Sequence, residues 1–98
     1  MVLHMLEYLQ YLLVKMNNYK KDKYMNNKVL EIVNGIREAK GLEPMASISA
    51  EMKLREDLNL TSFDLAELTV KIEDEFDIDI FEDGLVSTVG EIFAKLEA

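Results

Sequence analysis

Apolar residues recur at the spacing of an α-helix in four segments of this chain, and this periodicity is the feature that most constrains its fold. The clearest start of a helix is at Thr61. Thr61 and Asp64 can form a capping box, in which each side chain bonds the backbone N–H of the other residue. Thr88 and Glu91 form a second pair with the same spacing. The pattern therefore predicts an all-α fold.

Three principal helices are predicted after residue 25. The first begins near the asparagines at 26–27, stops at Gly41, and leaves Glu31 and Arg37 in water. Its buried side is predicted to be Val29, Ile32, Val33 and Ile36. The second follows the first capping box and ends near Phe76, and its core-facing residues are predicted to be Leu65, Leu68, Ile72 and Phe76. The last helix opens at Thr88 and is predicted to bury Val89, Ile92, Phe93 and Leu96.

The connections between these helices carry predictions of their own. Residues 42–60 lack clear periodicity, and a connection of this length is expected to be an ordered, packed loop. Its anchors are predicted to be Met45, Ile48, Met52, Leu54, Leu58 and Leu60. Residues 77–80 alternate acidic and apolar, but a single strand has no partner, so an extended linker is predicted. A short fourth helix is predicted at 81–86.

Residues 1–25 differ from the rest and are predicted to form an N-terminal extension to a domain of residues 26–98. An amphipathic helix is indicated by Val2, Leu6, Leu9, Leu13 and Met16, with a polar linker at 17–27. The extension can dock on its own domain or on another copy, touch a membrane surface, or be an upstream addition of little consequence. No segment is long and apolar enough to span a membrane, and the first residues make a poor signal peptide.

Composition excludes several classes of function. The 98 residues suffice for one small domain, and the chain has no cysteine for a disulfide or thiolate metal site. The net charge is −8, with 4 − 2 = +2 in residues 1–25 and 7 − 17 = −10 in residues 26–98. Such acidity disfavours nucleic acid as a partner and favours basic patches on other proteins. A cytoplasmic setting fits this composition.

Ser62 is the candidate site of chemistry. It directly follows the capping residue Thr61, where the helix dipole and free N–H groups favour a negative charge such as a phosphate ester. A serine there is more often simply part of the helix start. No histidine or second base is positioned in the sequence to make Ser62 a hydrolytic nucleophile. The carboxylates between Asp74 and Asp83 do not match the spacing of a calcium loop, so no metal site is predicted.

The order of the elements around Ser62 resembles that of acyl carrier proteins. The resemblance covers about residues 26–98 and rests on the run Glu56–Leu68, continued by Ile72–Ile80. The family pattern is a leucine-glycine-x-Asp-Ser-Leu-Asp core, an acidic helix ending in Glu-Glu-Phe, and an alternating acid/isoleucine linker. The resemblance implies a four-helix carrier bundle of three main helices and one short one, preceded here by the N-terminal extension.

The same resemblance implies what the residues do. Ser62 would receive 4′-phosphopantetheine from coenzyme A through a separate phosphopantetheinyl transferase, and the arm's thiol would hold an acyl chain as a thioester. The chain would then be a monomeric carrier rather than an enzyme, serving acyltransferase- or ketosynthase-type partners of fatty acid, polyketide or related biosynthesis. Docking residues are predicted at Asp57, Asp64, Glu67 and Asp74. The acyl pocket is predicted to be lined by Leu58, Phe63, Leu68, Val70 and Ile72.

Three residues depart from the family pattern, since Asn59 replaces glycine, Thr61 replaces aspartate and Phe63 replaces leucine. These differences indicate a specialised carrier and leave open which transferase recognises Ser62. Two alternatives stay open: an aminoacyl or peptidyl carrier, and an unmodified acidic module of the same fold that only binds proteins.

Overall fold

The computed structural model describes residues 2–97, with the side chains of 5–16 and 20–97. Within these residues the fold is all-α and consists of α1 (Val2–Ala39), α2 (Ser62–Phe76) and α3 (Val89–Glu97). The short fourth helix predicted at 81–86 is not formed. Isolated turn bonds are found there instead, from Glu82 N to Asp79 O (3.3 Å) and from Gly84 N to Phe81 O (3.2 Å). Gly84, at φ +135°, takes the backbone out of the helical region and stops a helix from continuing.

α1 is one continuous helix, so the predictions of a polar linker at 17–27 and of a new helix start near residue 26 were wrong. No proline or glycine interrupts residues 2–34, and a polar stretch of Lys, Asn and Tyr is compatible with an exposed helix. At 1.5 Å per residue its 38 residues span about 57 Å, close to the 59 Å length of the molecule. The described side chains of α1 are exposed up to Tyr24, and the first buried one is Met25.

The C-terminal end of α1 is closed by Gly41, as predicted. Gly41 has φ +80°, and its N–H bonds the carbonyl of Glu38 at 3.0 Å. The N–H of Leu42 bonds the carbonyl of Arg37, also at 3.0 Å. This pair of bonds is a Schellman motif, which satisfies carbonyls that the end of a helix leaves free.

The core lies where the second half of α1 packs against α2, α3 and the loops between them. α1 contributes Met25, Val29, Val33 and Ile36. α2 and α3 contribute Leu68, Ile72, Val89, Ile92 and Leu96. At the far edge of this contact the Tyr24 ring meets Phe76 edge-on, and the Tyr24 hydroxyl donates to Glu75. That hydrogen bond raises the pKa of Tyr24.

The loop of residues 42–60 is ordered and packed, as predicted, and buries Ile48, Leu54, Leu58 and Leu60. Arg37, predicted to lie in water, is instead buried beneath this loop. Its guanidinium donates to the carbonyls of Glu43 (3.1 and 3.0 Å) and Leu58 (2.7 Å). The carbonyls of a loop lack the backbone N–H partners that a helix or sheet would give them. The buried guanidinium, with its several N–H groups, supplies these hydrogen bonds instead.

The same loop is tied to the start of α3. Leu54 N bonds Ser87 O at 2.9 Å, and Gly90 N bonds Ala50 O at 3.0 Å. Thr88 and Lys53 form an isolated antiparallel bridge. The linker predicted to be extended at 77–80 belongs to no strand, but Asp77 is the left-handed C-cap of α2 (φ +58°) and Ile80 lies in a turn, so only residues 78–79 fall outside a cap or turn. No helix in residues 2–97 has the length and apolar character needed to cross a membrane.

Candidate functional site: an exposed serine at the start of α2

Ser62 is the first residue of α2 and its side chain is exposed. The predicted capping box is present beside it. The Thr61 hydroxyl accepts a hydrogen bond from Asp64 N at 3.2 Å, and the Asp64 carboxylate accepts one from Thr61 N at 2.9 Å. These reciprocal bonds fix the first turn of α2 and leave the Ser62 hydroxyl outside the cap.

Arg55 comes from the loop before α2 and meets Ser62 directly. Its Nη2 donates to Ser62 Oγ at 2.6 Å. A guanidinium has five N–H donors and no acceptor, so it cannot take a proton from the hydroxyl. Its positive charge, together with the positive end of the α2 dipole, favours a negatively charged group at this position.

A surface groove of about 530 Å³ opens beside Ser62. It is lined by Ser62, Leu65, Ala66 and Thr69 of α2 and by Arg55, Asp79, Phe81 and Leu85. A smaller cavity of about 160 Å³ shares Arg55, Leu65, Phe81 and Leu85 with the groove. This cavity reaches the buried side chains of Leu54 and Val86, so apolar space leads from the serine towards the core.

None of the five residues predicted to line an acyl pocket lines the groove or the smaller cavity beside Ser62. Leu58, Leu68 and Ile72 are fully buried in the packed core. Phe63 and Val70 are 79% and 58% exposed, so their assignment to an interior pocket was wrong. The side of α2 that contacts the core is marked by Leu68 and Ile72, and Phe63 and Val70 project from its other sides.

Three of the four predicted docking acids lie at the surface, and the fourth, Asp64, does not. Asp57 and Asp74 are exposed, although Asp57 also accepts a bond from the Lys53 N–H at 2.7 Å. Glu67 is half-buried and pairs with Lys71 at 3.4 Å within α2. Asp57, Glu67 and Asp74 therefore offer negative charge at the surface.

Asp64 does not belong to such a surface. It is buried, and Lys40 from the end of α1 reaches it at 2.6 Å. Lys40, followed by the hydrogen bond from the Thr61 backbone, lowers the pKa of Asp64 below its ordinary value of 3.8. The carboxylate is already committed to the cap and to Lys40, so its role is to hold α1 to the start of α2.

The geometry suits a serine that another molecule modifies. The partner recorded for Ser62 Oγ is a donor that cannot act as a base. Among residues 2–97 no group of three or more His, Cys, Asp or Glu side chains is arranged to hold a metal ion. The guanidinium of Arg55 and the start of α2 together favour a negatively charged group, such as a phosphate ester, beside the Ser62 hydroxyl.

Sequence reasoning missed Arg55 and the groove residues Phe81 and Leu85. Arg55 lies seven positions before Ser62 in a loop without periodicity, so its contact with the serine has no signature in the sequence. Leu85 did carry a signal. It is 93% exposed and follows Gly84 in a turn, and an apolar residue at such a position is a candidate for contact with a ligand.

Comparisons of this chain with protein-family models, with curated proteins and with solved structures find no match.

Proposed function

We propose that this protein is an acyl carrier protein that bears 4′-phosphopantetheine on Ser62. The observation that carries the proposal is the position of Ser62, exposed at the first residue of α2, bonded by Arg55 and open to an apolar groove. A carrier needs these features, because its serine must be reached by a transferase and the attached arm must have a surface to lie on.

The residues around Ser62 fit the group chemically. Transfer forms a bond between Ser62 Oγ and the phosphorus next to the pantetheine of coenzyme A, and breaks the bond from that phosphorus to 3′,5′-ADP. The serine proton goes to a base of the transferase, since Arg55 has no acceptor. Arg55 and the N–H groups at the start of α2 would hold the phosphodiester, since they form a donor set that favours an anion.

When bound, the group supplies a terminal thiol that holds an acyl chain as a thioester. We place the arm and chain along the groove rather than among the five residues predicted from the sequence. Leu65, Phe81 and Leu85 offer apolar contacts beside Ser62, and the smaller cavity continues from them towards Leu54 and Val86. Burial of apolar atoms there would shelter the chain from water.

Partner enzymes would dock on the acidic side of the domain. Residues 26–98 carry a net charge of −10, and Asp57 and Asp74 remain exposed on either side of Ser62 in the sequence. Basic patches on a transferase, an acyltransferase or a ketosynthase would be steered to this surface, with a rate that falls as salt is raised.

The test is the intact mass of the purified chain after incubation with coenzyme A, magnesium and a promiscuous phosphopantetheinyl transferase. We expect a gain of one phosphopantetheine group on the wild type and none on Ser62→Ala. Ser47→Ala is the matched control, since Ser47 is also exposed but lies in the loop before α2. This variant should gain the group as the wild type does.

Two results would contradict the proposal. If the wild type gains no group, the alternative of an unmodified acidic module that only binds proteins is favoured. If Ser62→Ala still gains the group, the attachment point is another residue. A folding check by far-UV circular dichroism on each variant ensures that a missing adduct reports on the serine and not on loss of structure.

A further inference from the structure

The N-terminal half of α1 carries an apolar surface that nothing in the described chain covers. It is formed by Met5, Leu6, Leu9, Leu12, Leu13 and Met16, which we call the N-terminal stripe. Each of these side chains is between 38% and 67% exposed. Exposed apolar side chains that continue along one side of a helix are typical of an interaction surface rather than of scattered surface residues.

The stripe faces away from the body of the protein. At about 100° per residue, its six positions centre on a direction roughly 160° around the helix from Met25, Val29, Val33 and Ile36, which face the core. Since α1 is continuous from Val2 to Ala39, the stripe cannot turn onto its own core without breaking the helix. The core that begins at Met25 therefore leaves the stripe open to a second molecule.

We infer that the stripe pairs with the stripe of a second copy of this chain, with the two helices antiparallel. Met5, Leu9, Leu12 and Met16 are spaced by four, three and four residues, the spacing with which two helices pack along a common seam. Antiparallel pairing sets Leu9 of each copy against Leu12 of the other, and Met5 against Met16. The surface is then complementary to itself, as a two-fold dimer requires.

Charge decides between the two orientations. Lys20 and Lys23 continue the side of the helix that carries the stripe and lie beside Leu12 and Met16. A parallel pair would bring each lysine against the same lysine of the other copy. It would also bring the two domains of residues 26–98, each with a net charge of −10, to the same end of the dimer. An antiparallel pair sets the lysines of the two copies far apart and separates the acidic bodies, so it avoids both repulsions.

The size of the stripe and the charge of the body also favour a second copy over a lipid surface. Covering the six side chains in both copies would bury on the order of 1,000 Å², near the roughly 1,200 Å² at the low end of specific interfaces. We therefore expect a dimer that dissociates in the micromolar range. A body of charge −10 is repelled by an anionic membrane, whereas it tolerates a second copy held at a distance.

The first test is the mass of the full chain by sedimentation equilibrium up to about 100 micromolar. We expect twice the mass of one chain for the wild type. Leu9→Lys should weaken the association at least tenfold, because it places a charge at the centre of the stripe. Val14→Lys is the matched control, since Val14 is similarly exposed (57% against 51%) but lies away from the stripe. A monomeric wild type, or equal association of the Leu9→Lys variant, overturns the inference.

The second test determines orientation, and the absence of natural cysteine makes it direct. Antiparallel pairing predicts that a mixture of the Met5→Cys and Met16→Cys chains forms disulfide-linked dimers faster than either variant alone. Faster linking of Met5→Cys to itself would instead show a parallel pair and overturn the antiparallel assignment. Cosedimentation with phosphatidylcholine–phosphatidylglycerol vesicles completes the test. A chain that is monomeric without lipid and bound to vesicles would assign the stripe to a membrane surface and refute the dimer.

Discussion

Replacing Asp64 by asparagine tests whether this carboxylate is structural or a docking acid. The change keeps the size of the side chain and a carbonyl oxygen that can still accept from the Thr61 N–H. It removes the charge that meets Lys40 at 2.6 Å and that lies in the positive first turn of α2. The loss should therefore appear in the free energy of unfolding, and not mainly in the affinity for partner enzymes.

The magnitude follows from two interactions. A hydrogen bond between charged groups contributes about 1.5–3 kcal/mol when well shielded, and partial exposure of Lys40 reduces this to about 1 kcal/mol. A carboxylate in the first turn of a helix adds about 0.3–1 kcal/mol. We expect Asp64→Asn to cost about 1–2 kcal/mol at pH 7. In urea this is a fall of about 1–2 M in the midpoint, for a slope near 1 kcal/mol per molar.

The pH dependence gives this prediction its distinguishing mark. The folded state lowers the pKa of Asp64 below 3.8. Ionised Asp64 therefore stabilises the fold at pH values above the pKa that Asp64 has in the unfolded chain. This stability is lost as the pH falls through the lowered pKa. Urea unfolding followed by far-UV circular dichroism should show a constant difference between wild type and variant from pH 7 to about 5, closing below about pH 4.

The control for this experiment is Asp74→Asn, because Asp74 is exposed on the same helix. Its stability should stay within about 0.5 kcal/mol of the wild type. Equal stability of the two variants at pH 7, or a loss in Asp64→Asn that persists unchanged at pH 3, would refute the assignment of Asp64 to the cap and Lys40.

Two further predictions compare matched pairs of variants. Gly90→Ala should destabilise the fold by about 1–2 kcal/mol, because the new Cβ would lie 3.0 Å from the Ala50 carbonyl to which Gly90 N is bonded. Gly35→Ala, with no atom within 4 Å of its Cβ, should stabilise α1 by up to about 1 kcal/mol, and urea unfolding of both checks this. Arg55→Gln should slow phosphopantetheine transfer to Ser62 about three- to tenfold in initial-rate assays, since it removes an exposed donor from the phosphate position. Lys53→Gln also removes one positive charge, two residues away, and should leave the transfer rate unchanged. Equal slowing by Arg55→Gln and Lys53→Gln would show that only the net charge matters.

Two helix ends, the stop at Gly41 and the start at Thr61, were the most predictable parts of the fold. Gly41 and the Thr61–Asp64 box act through bonds to residues at most five positions away, so their effect is written in the local sequence. The unbroken passage of α1 through 17–27 was not predicted. A polar, lysine-rich stretch is equally compatible with a linker and with an exposed helix, and no proline or glycine decided between them.

Of the residues at the candidate site, only Ser62 was identified from the sequence. The period of α2 marks Leu68 and Ile72 as buried, but apolar residues such as Phe63 and Val70 can lie on either side of a helix, and only packing shows that they are exposed. The acids were equally ambiguous. The sequence assigns Asp64 to the capping box, but nothing in it shows that Lys40 pairs with this carboxylate or that Asp74 is exposed.

The helical character of the chain, the start of α2 behind a capping box and the concentration of charge after residue 25 can all be read from the residues alone. The contact of Arg55 with Ser62, the pairing of Lys40 with Asp64 and the apolar groove beside the serine became visible only in the folded chain. The two groups differ in the range of the interactions that produce them. Caps and helical periodicity depend on residues a few positions apart, whereas the pairing of Lys40 with Asp64 and the walls of the groove depend on how separate elements pack.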